Sequence, residues 1–182
     1  NIHEAVDLWL SDEATAETTY GHISDWDVSS VTDMSHMFNS AFIFNGDISS
    51  WDVSSVVDME GMFRTASNFN GDISSWDVSK AEDMVRMFMG ATSFNQPIGS
   101  WDVSSLGSSR QMFKNATSFN QDISSWNISN VYNMSEMFMG ASSYNQDLSA
   151  WNLSGVTNCT NFYNSTDSWE ASKKPNTLPC GG

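Results

Sequence analysis

A chain of 182 residues is long enough to bury one sizeable core, and 40% hydrophobic with 13% aromatic content sets it apart from disordered sequences. Twenty-two acidic residues against seven basic ones, a net charge of -15, exclude nucleic-acid phosphates and anionic membrane surfaces as partners and favour cations or a basic protein. No apolar run is long enough to insert in a bilayer, and a start at Asn1 rather than Met reads as a monomeric fragment of a larger chain.

In chain order, Ile2, Ala5, Val6, Trp9 and Leu10 recur at helical spacing and predict an amphipathic helical cap over residues 1–19. From 20 to 165 the chain repeats itself six times with a period of 25, marked by Trp26, Trp51, Trp76, Trp101, Trp126 and Trp151. Around each Trp the apolar positions recur, as in Ile48, Val53, Val56, Met59, Met62-Phe63, Ala66 and Phe69. The Met rows read as adaptable core filling rather than as ligands. One coil cannot offset its own ordering entropy by burial, so the coils must stack and share their core. The segment before Trp ("NGDIS", "NQDIS") alternates Ile and Asp and predicts a strand. After Trp, "VxxMxxMF" predicts a helical or 3-10 turn. The expected fold is thus an α/β solenoid of six coils with a parallel β-sheet on one side and helical turns on the other. Residues 166–182 predict an irregular C-terminal cap. Cys159 and Cys180 read as one disulfide pinning this tail in an oxidising compartment, the alternative being two reduced thiols.

"WDVSSVTDMSHMF", "WNISNVYNMSEMF" and "SFNQDISSW" resemble the repeats of BspA-like leucine-rich-repeat surface proteins, which include the mycoplasma-type lipoprotein repeats. The resemblance covers about residues 20 to 165 in six consecutive copies. It implies a right-handed, leucine-rich-repeat-like solenoid on a secreted or surface-anchored protein, with adhesion and host or matrix binding as associated roles. It brings no catalytic residues. Two departures, Pro97 in the fourth copy and "LGSSRQMF" from Leu106 to Phe113, predict a local irregularity.

Among candidate sites, Asp47, Asp72, Asp122 and Asp147 form a row that Pro97 divides into two pairs. On a sheet these carboxylates would lie about 4.8 Å apart, and such a row is relieved by a basic partner or a weakly bound Ca2+, or else stays solvated. Two further rows, Asp27/Asp52/Asp77/Asp102/Asn127/Asn152 and Asp33/Asp58/Asp83/Ser108/Asn133/Asn158, interchange Asp, Asn and Ser and read as turn caps. Asn45, Asn70, Asn95, Asn120 and Asn145 are expected to stack in the interior and bond successive backbones. Six N-x-[ST] sequons occur, of which Asn115 and Asn164 are the better glycosylation candidates because they stand outside the acidic rows. No G-x-S-x-G, HExxH or P-loop is present, which argues against an enzyme. The expected function is non-enzymatic adhesion, outside the cell or on its surface, to a protein or matrix ligand through the acidic strand face. The alternatives are a structural spacer, or a Ca2+-, mineral- or ice-binding array.

Overall fold

The computed structural model describes residues 1–164, 166, 168–176, 178 and 179. The N-terminal cap is two helices. The first, α1 (Ile2–Ser11), begins where the Asn1 side chain accepts from the His3 amide at 3.2 Å, and it buries Ala5, Val6 and Trp9. Asp12 ends α1 and starts α2 (Glu13–Tyr20), accepting from the Thr15 amide at 3.2 Å and the Thr15 hydroxyl at 2.6 Å. Gly21, at φ 80°, ends α2, and a 3-10 turn at Ile23–Asp25 leads into the first coil.

The coils are built from tight turns. Within one coil, amides donate three residues back: Trp51 to Ile48 (3.2 Å), Val56 to Val53 (2.9 Å), Met62 to Met59 (3.2 Å) and Phe69 to Ala66 (3.1 Å). Between coils, alternate amides donate forward, from Met34, His36, Phe38 and Ser40 to the carbonyls of Asp58, Glu60, Met62 and Arg64 at 2.7 to 2.9 Å. Met59, Gly61, Phe63 and Thr65 repeat the pattern toward Asp83, Val85, Met87 and Met89.

This corrects the expected fold class. Among the described residues there is no parallel β-sheet, only single parallel bridges along Asp33, Asp58, Asp83, Ser108, Asn133 and Asn158. The coils contain no α-helix either, so a leucine-rich-repeat-like α/β solenoid does not describe the molecule. Two causes are visible. In the expected strand, the carboxylate of Asp47 takes the Ser49 amide that a ladder would need. In the expected helical turn, left-handed residues recur at His36, Arg86, Gln111, Glu136 and Asn161 and, four further on in the coil, at Ser40, Thr65 and Asn115. Each reverses the chain before an extended run or a helical turn can propagate. Gly61, Gly90 and Gly140 fill the same places and adopt that backbone without a Cβ penalty.

What holds the coils in register is their core. Phe38, Phe63, Phe88, Phe113 and Phe138 stack with centroids 5.4 to 5.7 Å apart. Phe44, Phe69, Phe94, Phe119 and Tyr144 form a second column at 5.7 to 6.0 Å. The columns lock at 3.9 to 4.3 Å within each coil. Four Trp indoles reach back a full coil: Trp51, Trp76, Trp101 and Trp126 donate to the carbonyls of Ile23, Ile48, Ile73 and Ile98 at 2.9 to 3.2 Å. Asn side chains form the outer counterpart, with Oδ1 of Asn45, Asn70, Asn95 and Asn120 accepting from the amide of the next Asn at 2.8 to 2.9 Å. That Asn row is half-buried to exposed rather than internal, because it lies just outside the Phe column.

The expected irregularity around Pro97 and Leu106 is absent, and the turn pattern runs through both. Ser109 occupies the Met place, buried, and donates to Met137 Sδ at 3.3 Å. Beyond the sixth coil Trp169 closes the second column edge-on to Tyr144, and its indole donates to the Gln146 carbonyl at 2.9 Å. Cys159 is buried, while Cys180, its expected disulfide partner, lies outside the described residues.

Three polar atoms, the Tyr144 hydroxyl, the Trp151 indole nitrogen and Arg64 Nε, are buried without a hydrogen-bond partner among the described residues. Burial pushes the Tyr144 phenol well above its ordinary pKa. Tyr144→Phe, which restores the residue of the other coils, is expected to raise stability by about 1 kcal/mol in denaturant unfolding. Trp101→Phe strands the Ile73 carbonyl and is expected to cost about 1–3 kcal/mol more than Trp151→Phe, which removes an N–H already unpaired.

Candidate functional site: the acidic turn rows

Each Asp of the first row closes a short turn with the Ser two residues on. Oδ1 accepts from the Ser amide at 3.0 Å in Asp47 and Asp72 and at 2.9 Å in Asp122 and Asp147. In the first pair the Ser49 and Ser74 hydroxyls add bonds of 2.7 Å to the same oxygen. The Ser hydroxyl and amide together hold Asp47, Asp72 and Asp147 below the usual carboxylate range. For Asp122 the Ser124 amide is the larger cause. All four side chains are exposed. The Ser amides bond Oδ1 in all four, and Oδ2 takes no part in those amide bonds.

The structure brings the four together as two pairs. The charge of Asp47 works against the lowering at Asp72, and that of Asp147 against the lowering at Asp122, while Pro97 leaves the fourth coil without a carboxylate in this row. His22 in the preceding coil partly offsets Asp47, and Lys173 offsets Asp147. A second exposed row uses the same turn: Asp27, Asp52, Asp77 and Asp102 accept from Ser29, Ser54, Ser79 and Ser104 at 2.9 to 3.0 Å. Asn127 and Asn152 do so at 3.2 and 3.1 Å, so the turn needs the oxygen and not the charge. The third row lies along the parallel bridges. Its Asp83 is half-buried, and desolvation, followed by the charges of Asp58 and Glu60, raises its pKa against the lowering effect of the Val85 amide.

No three His, Cys, Asp or Glu side chains among the described residues come together as a set able to hold a metal ion. Asn115 is exposed, with its Oδ1 lying where a Cβ on Gly140 would sit. Asn164 is exposed, and its Nδ2 donates to Asn161 Oδ1 at 2.7 Å; Ser165 of its sequon lies outside the described residues.

Two features escape a row-by-row reading. The charge is polarised: 17 of the 22 acidic but only three of the seven basic residues fall in residues 1–102, which carry -14 of the net -15. Phe42 and Ile43 are exposed at 59% and 85%, where the following coils carry Ser67-Asn68, Thr92-Ser93, Thr117-Ser118 and Ser142-Ser143. The signal in both cases is departure from the repeat rather than the repeat itself.

A carboxylate whose pKa is lowered by folding stabilises the fold above its unfolded value, and that contribution is lost as pH falls through the folded value. Unfolding midpoints are therefore expected to fall as pH drops below the ordinary Asp value of about 3.9. Asp83 has the opposite sign, disfavouring the fold at neutral pH and easing as pH falls. Asp83→Asn keeps the Oδ1 acceptor, as Asn133 does, and is expected to raise the midpoint at neutral pH but not in acid, as measured by denaturant titrations at both.

A family model described as a Mycoplasma protein of unknown function, DUF285, matches residues 10–116 and again residues 86–175. No curated protein and no solved structure matches the chain.

Proposed function

Because the chain belongs to the DUF285 family, whose function is unknown, its role must be read from its own surface, and we propose that it is a non-enzymatic binding module that captures a basic protein partner. The carrying observation is the exposed, repeat-spaced carboxylates, each fixed by a Ser amide on Oδ1. Rigid turns present these carboxylates at fixed spacing, so little side-chain entropy is lost when a Lys or Arg side chain of a partner pairs with them. The resemblance of the repeats to BspA-like surface proteins supports a secreted or cell-surface setting and a matrix or cell-surface protein as ligand. The excess of carboxylates supports a partner other than nucleic acid.

Exposed ion pairs contribute only about 0.2–1 kcal/mol each and are screened by salt. The rows therefore act chiefly on encounter rate and on the choice of partner sign. The test is Asp47, Asp72, Asp122 and Asp147 all changed to Asn, a substitution that the equivalent turns at Asn127 and Asn152 already carry. Capture of a poly-lysine surface at low salt is expected to slow by at least tenfold while the variant stays folded at neutral pH. Undiminished capture by a folded variant would leave the rows as the solvated surface of a spacer.

A further inference from the structure

At the junction of the cap and the first coil lies a cleft of about 340 Å3, within the size range of small-ligand sites. Trp9 and Leu10 from α1 and Ile43 from the first coil supply apolar lining, and Glu13, His22 and Asp47 supply polar groups. Trp9 is fixed there, edge-on to His22 at 5.2 Å and to Trp26 at 5.8 Å. Beside the cleft stand the two exposed residues that break the repeat. Four following coils show that this corner is satisfied by Ser, Thr or Asn, so neither stacking nor the turn requires Phe42 and Ile43. Leu10, 37% exposed, extends the same apolar patch from the helix side.

We infer that this cleft is a recognition site for a partner segment that places an aliphatic side chain next to an Arg or Lys. The aliphatic group seats against Ile43, Leu10 and Trp9, which removes apolar surface from water on both sides. The cation meets the carboxylates of Glu13 and Asp47, neither of which is in an ion pair among the described residues. Its choice over an anion follows from charge: the site stands in the half of the chain that carries -14. The inference rests on the reading that the chain binds a basic protein, and it adds a localised anchor to the diffuse attraction of the rows.

The probe is the dipeptide acetyl-Leu-Arg-amide, titrated at millimolar concentration into 15N-labelled protein. Chemical-shift changes are expected at the Trp9 indole and at the Ile43 and Asp47 amides, and acetyl-Leu-Glu-amide is expected to leave them still. The double variant Phe42→Ser/Ile43→Asn, which copies the next coil, is expected to weaken the dipeptide at least tenfold while keeping the rest of the spectrum. Changes absent from the cleft, equal response to the Glu peptide, or undiminished binding by the double variant would overturn the site. So would concentration-dependent shifts at Ile43 without peptide, which would assign the patch to self-association. Asp72, Asp122 and Asp147 changed together to Asn separate the two readings. That triple variant is expected to bind the dipeptide as before at 150 mM salt, so the cleft stands or falls independently of poly-lysine capture by the rows.

Discussion

The stack depends on one constraint: alternate amides of one coil must find the carbonyls of the next coil 24 residues ahead. That span allows no inserted or missing residue, because the same step aligns both Phe columns, the Trp indoles and the Asn ladder. Misregister by one residue would leave buried amides, carbonyls and indoles unpaired together. The penalty is shared across the whole coil, which is how a chain with almost no regular secondary structure holds one conformation. Turns are usually the variable part of a protein, and here they are the framework.

The same turns make the acidic surface. An Asp that closes a turn gives Oδ1 to the backbone amide while its side chain stays exposed, so the structural role does not bury the charge. This explains how Asn can replace Asp in the last two coils without altering the chain path. Charge has been set independently of shape, and the N-terminal coils carry nearly all of it.

Much of the interior was legible because a fixed period reports burial directly. Trp51, Phe63, Ile73 and Met84 are where the repeat placed them. The backbone was less legible, for two local reasons. The Ile and Asp of "NGDIS" alternate as in a strand, yet the pattern does not show that Asp72 will capture the Ser74 amide. Left-handed positions are announced by Gly only at Gly61, Gly90 and Gly140, whereas Arg86, Gln111 and Glu136 carry no such mark. At the candidate site, the exposed Asp rows were readable from spacing. The cleft beside Ile43 was not, since it forms only where α1 docks on the first coil.

The uneven charge has a consequence for how two molecules meet. Stacked in sequence order, the coils place a strongly negative pole at the helical end and a nearly neutral one at the other, which gives the particle a large permanent dipole moment. In the field of a positively charged surface such a body experiences a torque before contact, turning its helical end forward. Orientation would then be settled in solution, within a Debye length or so of touching, and the cleft would arrive first.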